Sequence, residues 1–224
     1  MLVPDSKKLL GFVVQKVRET PIVRQSALGT YVSSRGYGFG IHPIEPDYSL
    51  VKPRKARIIP LSSGDKGTRE TLLKMKELAL AGARHPDIWE LSRKTVRGCP
   101  VKDTNCEAQK MLKWIHDNIR WTPDIGTAET VAAPWRTISV GGGDCDDVAS
   151  LLASMAVSIG MPARFKAIAA NPEYKNEFTH VYTELKVGNK WIPAEPSIKG
   201  MPLGWESPVI YRKMIQDVWN GEEE

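Results

Sequence analysis

Residues 141–165 read GGGDCDDVASLLASMAVSIGMPARF, and the rest of the chain is best placed relative to them. Three glycines run into an acidic cluster around Cys145, an apolar segment of small residues follows, and Gly160 and Pro162 close it. Val148, Leu152, Ala156 and Ile159 recur at helical spacing on the side of Cys145, which predicts a helix that starts at that cysteine. Asp144 is the expected N-cap, its carboxylate accepting from the amide of Asp146 or Asp147. Nearby negative charge disfavours a thiolate, whereas the unpaired amides of a helix N-terminus favour one. Asp146 and Asp147 fall to other sides of the helix, so the thiol points along the buried stripe. Gly141, Gly142 and Gly143 let a backbone approach the sulfur without side-chain obstruction.

Beyond Pro162 the period changes from helical to alternating. ARFKAIA, THVYTELKV and KWIPAE predict three strands, the last two joined by a tight turn at Gly188-Asn189. A two-residue loop there sets Val187 opposite Lys190, Tyr182 opposite Glu195 and His180 opposite Ser197. His180 and Glu195 then share one face as diagonal neighbours. A thiol at a helix start, an imidazole and a carboxylate behind it form the arrangement that a cysteine nucleophile requires. SPVIYRKMIQDVW predicts a short terminal helix capped by Ser207.

Upstream, helices are expected from Thr68, with Leu72, Leu73, Met75, Leu78 and Leu80 periodic, and from Pro86. A third runs through NCEAQKMLKWIHDNIRW, where Ala108, Met111, Leu112, Ile115 and Ile119 make one face. Trp135 falls in the loop that leads to Cys145. Helices followed by strands make residues 67–224 an α+β domain, helices packed on an antiparallel sheet. Residues 1–66 lack sustained periodicity and are rich in Gly, Pro and Ser, as expected of an extended basic arm or linker.

The charge is unevenly placed. The net value is +5, and residues 1–60 hold ten of the 31 Lys and Arg but four of the 26 Asp and Glu. The basic character therefore belongs to the arm, which suits a solvated extension or a protein-assembly contact. No interleaving of aromatic and basic residues indicates a nucleic-acid groove. No apolar run reaches the ~18 residues of a membrane span, and LLGFVV is too short for a secretion signal. Cys99 and Cys106 match no common zinc spacing and are expected to be small buried thiols, in a reducing, cytoplasmic setting. No metal or organic cofactor is implied.

The three blocks GGGDCDDVASLLASMAVSIGMPARF, THVYTEL and KWIPAEPS together resemble the transglutaminase-like domain of the papain-like cysteine protease superfamily, over about residues 105–198. The resemblance implies a catalytic triad of Cys145, His180 and Glu195. The family usually has Asp at the third position, where this chain has Glu195. Trp135, ten residues before Cys145, is a candidate oxyanion donor through its indole N–H, with packing as its other role. The segment GDKGTRETLLKMKELAL resembles what precedes this domain in proteins of tailed bacteriophages.

Two functions stay open on the sequence. One is thiol-dependent acyl transfer or hydrolysis on a peptide or protein substrate. The other is a non-catalytic structural protein of a bacteriophage virion that keeps the fold and engages its assembly through the arm.

Overall fold

The computed structural model describes residues 12–15, 57–123 and 130–221. Most of the expected arm lies outside these. Within it, β1 (Phe12–Gln15) pairs antiparallel with β2 (Arg57–Pro60).

Three helices open the domain: α1 (Gly64–Ala83), α2 (Pro86–Thr95) and α3 (Thr104–Asn118). The first starts ahead of Thr68, whose hydroxyl donates to the Gly64 carbonyl. Glu70 fixes that entry by accepting from the amide and hydroxyl of Ser62, at 2.8 and 3.0 Å. Pro86 occupies the first turn of α2 as expected, where a missing N–H costs nothing. Asp103 caps α3 by accepting from the Cys106 amide at 2.9 Å.

The turn between α2 and α3 corrects the expectation for two cysteines. Cys99 and Cys106 are disulfide-bonded, with Cα atoms 5.7 Å apart, and neither is fully buried. Gly98 and Lys102 both take positive φ, so the chain reverses sharply enough to bring the thiols together. Cysteine usage thus gives no argument for a reducing compartment. Reduction is expected to lower unfolding stability by about 2 kcal/mol, from loop-closure entropy alone. Urea titration with and without a reductant measures it, and coincident curves would contradict a closed loop.

After α3 come β3 (Arg120–Trp121), α4 (Pro134–Val140), β4 (Gly142–Gly143) and α5 (Cys145–Ser158). Trp135 therefore sits on a helix and not in a loop. The seven residues of α4 are too few to show a period, which is why the sequence conceals it. Residues 146–156 of α5 are buried on every side, so this helix is the centre of the domain. Its small residues allow close approach: the Ser154 hydroxyl lies 3.0 Å from the Ala79 carbonyl of α1. Opposite it, a Cβ on Gly82 would stand 2.6 Å from that hydroxyl and 2.9 Å from Pro134. Only glycine fits there.

The sheet runs β7-β6-β5-β8, entirely antiparallel, from β5 (Ala163–Ala169), β6 (His180–Val187), β7 (Lys190–Ala194) and β8 (Arg212–Trp219). The hairpin has the expected register, with Val187 opposite Lys190 and Thr183 opposite Ala194. One face of β6 meets α5, where the Thr183 hydroxyl donates to the Ala149 carbonyl at 2.9 Å. Tyr182 and Glu184 belong to the other face by alternation. Pro193 is tolerated because β7 is an edge strand. Its carbonyl instead accepts from Gly204 at 2.7 Å, which holds the following loop to the sheet edge.

The terminal helix expected over SPVIYRKMIQDVW is in fact strand β8. Exposure alternates along it: Lys213, Ile215 and Asp217 face out, while Met214, Gln216 and Val218 face in. Ile215 outward and Gln216 inward invert the usual polarity and hide the period of two. Ser207 caps nothing helical; its hydroxyl donates to the Val209 carbonyl. The fold is α+β, with helices on an antiparallel sheet.

Candidate active site

The start of α5 is held from both sides. Gly142 and Gly143 pair in parallel with Arg120 and Trp121. The Thr122 amide donates to the Gly143 carbonyl at 3.0 Å. A Cβ on Gly143 would stand 2.6 Å from that of Asp147, so the chain can pass this turn of the helix only without a side chain. Cys145 follows as the first helical residue and is half-buried.

The acidic residues around it are tied into the scaffold, though not as expected. Asp144 occupies the N-cap position but its side chain makes no capping hydrogen bond. The Asp147 amide donates instead to Asp146 Oδ1 at 2.9 Å, and Asp147 Oδ1 accepts from the Ala132 amide at 2.6 Å. Asp146 and Asp147 are both buried. Together the three form the one group of described residues whose ligand atoms, all within 4.8 Å, are close enough to share a cation. The amides that occupy the oxygens of Asp146 and Asp147 give these carboxylates a structural use first.

His180 opens β6, at the end of the sheet beside the start of α5. Its Nε2 lies 2.6 Å from Glu195 Oε2, and Cys145 is near enough for its side chain to raise the His180 pKa. With Nε2 engaged by the carboxylate, Nδ1 is the nitrogen left for sulfur. Glu195 is 1% exposed. Its other oxygen accepts from the Ser197 amide at 2.9 Å and the Ser197 hydroxyl at 2.6 Å. His116 of α3 lies with Nε2 2.8 Å from the Glu195 carbonyl and therefore donates to it. The extra methylene of glutamate is thus absorbed by a fixed geometry. Neither Ser197 nor His116 was singled out from the sequence. The first stands two residues after the carboxylate, a spacing suited to a local turn. The second lies 79 residues away and carries no local signal.

Burial alone would lower the His180 pKa, but its hydrogen bonds to Cys145 and Glu195 and their negative charges push it up to about 10. Glu195 is held below its ordinary value: burial opposes this, and the His180 hydrogen bond, the His180 charge and the Ser197 donors outweigh it. The pair consequently stabilises the fold fully between pH 4.5 and 6.5, the ordinary values of the two groups. Above 6.5 this contribution declines as pH rises towards about 10 and His180 loses its proton. Below 4.5 it is lost as Glu195 becomes protonated. The melting-temperature gap between the parent and Glu195→Gln is expected to be widest in that window and to narrow at alkaline pH. A gap independent of pH would contradict the ion pair.

Trp135, the second residue of α4, stacks on His85, with ring centroids 4.9 Å apart and planes 10° apart. The structure brings together Cys145, His180 and Glu195, and gives Trp135 a packing contact.

Residues 90–196 match the model of the transglutaminase-like superfamily. The match takes in somewhat under half of the 224 residues. It contains Cys145, His180 and Glu195, ending one residue past the last. Among solved structures, the chain is similar to a "putative cysteine protease" from Cytophaga hutchinsonii, at 17% identity and a TM-score of 0.43, covering 64% of this chain and 50% of that one. It is also similar to a "putative protease" from Parabacteroides distasonis, at 14% identity and a TM-score of 0.46, covering 65% of this chain and 32% of that one. The chain therefore spans half the length of the first and about a third of the second. No curated protein sequence matches it significantly. Among the described residues, no helix is long and apolar enough to cross a membrane.

Proposed function

We propose that this chain performs thiol-dependent acyl chemistry on an amide, with Cys145 as nucleophile, His180 as acid and base, and Glu195 as the group that orients and charges the imidazole. The supporting observation is the single imidazole that bridges the helix-start thiol and a buried, fully engaged carboxylate. A cationic ring beside sulfur and the helix N-terminus both favour the thiolate. The thiolate attacks the carbonyl carbon, and the oxyanion meets the Cys145 amide, which has no helical acceptor of its own. As the C–N bond breaks, His180 gives its proton to the departing amine and a thioester remains. His180 then takes a proton from water, giving the free acid, or from an amine, giving a new amide.

An activated acetyl ester tests this directly. Exposure to p-nitrophenyl acetate is expected to place one acetyl group on Cys145, found by peptide mass mapping, and to place none there in Cys145→Ala. Discharge by water or by added amine distinguishes hydrolysis from transfer. Acetylation confined to lysines would favour the non-catalytic reading, in which the domain is a structural part of an assembly contacted through residues 1–66.

A further inference from the structure

A groove of about 280 Å³ opens between β3 and the segment that follows Glu195. Arg120 and Trp121 of β3 form one side, and they pair directly with Gly142 and Gly143. Ser197, which holds the Glu195 carboxylate, and Lys199 form the other, with His116 and Val148 between them. Val148 lies one turn after Cys145 on the same side of α5.

The charge of this groove is one-sided. Arg120 and Lys199 are both exposed and no carboxylate is among the lining residues, although the charge of Asp117 reaches Lys199. The carboxylates nearby are already occupied: Asp117 is bridged to Lys113 at 2.7 Å, and Glu195 lies behind Ser197 and is paired with His180. The His116 imidazole donates to the Glu195 backbone and leaves no acceptor facing the cleft from that atom. Trp121, beside Arg120 in the lining, is 53% exposed. Two exposed cations in a lining that also holds an exposed indole make a seat for a carboxylate on a short apolar stem.

We infer that this groove is the subsite for a carboxylate-bearing side chain adjacent to the amide attacked by Cys145, so that the substrates are acidic peptides. The inference rests on the thiol chemistry proposed above and names the substrate class for it. Arg120 and Lys199 are specificity-determining residues, and Trp121 packs the side-chain stem.

Two chloromethyl ketones that differ only in charge provide the test, N-acetyl-glutamyl and N-acetyl-glutaminyl. With each, the Cys145 thiolate forms a C–S bond and chloride leaves. The glutamyl reagent is expected to label Cys145 of the parent about fivefold faster than the glutaminyl one, the scale of two partly solvated charge contacts. The ratio should fall towards one in about 1 M salt, where screening shortens to ~3 Å. It should also fall towards one in Arg120→Gln/Lys199→Gln, with the melting temperature confirming that this variant is folded. A ratio near one in the parent, or one that survives both salt and substitution, overturns the acidic-substrate inference and leaves the thiol chemistry standing. No labelling of Cys145 by either reagent overturns both.

Discussion

In His180→Ala, alkylation of Cys145 by iodoacetamide at pH 6 is expected to slow by about 100-fold, the difference between a stabilised thiolate and an ordinary thiol with a pKa of about 8.5. Iodoacetamide is uncharged, so the rate reports how much thiolate is present and how accessible it is. In the parent, His180 is protonated throughout the neutral range, its pKa brought to about 10 against the pull of burial by hydrogen bonds and charge from Cys145 and Glu195. Alanine removes the cation and leaves the sulfur with only the helix N-terminus to oppose the acidic residues around it. The same substitution leaves Glu195 buried beside Ser197 without its partner. A loss of only two- or threefold would show that the helix field alone activates the thiol. Glu195→Gln should fall between parent and His180→Ala, because glutamine keeps a hydrogen bond to the ring but withdraws the charge that supports its proton.

The largest expected loss of stability lies on the face of the sheet turned away from α5, where Lys166 stands opposite Tyr182. Lys166→Met should lower unfolding stability by about 3 kcal/mol, the scale of breaking a buried ion pair by removing one partner. Lys166 is 7% exposed and donates to both Glu184, at 3.2 Å, and Glu206. Glu184 keeps Arg164, at 2.6 Å, in the variant. Glu206 keeps the Tyr182 hydroxyl and the charge of Lys213, but loses the cation that hydrogen-bonds to it and ties the loop after β7 to the sheet. Methionine preserves the aliphatic stem, so lost packing does not explain the effect. Lys94→Met gives the contrast. Its partner Glu90 lies 2.5 Å away but both are exposed, and the expected change is under about 0.5 kcal/mol. Guanidinium titration of the two variants separates the cases, and equal effects would contradict a buried network.

Local signals made the site legible in the sequence. The helix at Cys145 was marked by a glycine run before it, a long apolar segment within it and Gly160 after it. The hairpin register follows from the Gly188-Asn189 turn, and it places His180 and Glu195 on one face. Where two chain-distant elements had to meet, the signal failed. The Cys99–Cys106 bond depends on two positive-φ residues in the turn between α2 and α3. The His116 contact to the Glu195 backbone depends on how α3 packs beside the hairpin. The sequence of β8 reads as a helix because its inward and outward positions do not sort by polarity. Asp144 was expected to cap α5 by residue type, yet Asp146 takes the Asp147 amide instead. Composition cannot decide between neighbouring carboxylates that compete for the same donors.

The disulfide simplifies the deciding measurement. Cys145 is the one free cysteine of the three, so without a reductant its alkylation is read from intact mass alone. The rate of iodoacetamide modification should be followed from acid to alkaline pH. The expected profile stays near its plateau well below neutrality, as required of a thiolate paired with a cationic His180. A rate that instead rises through the ordinary thiol range near ~8.5 would contradict an activated nucleophile at the start of α5.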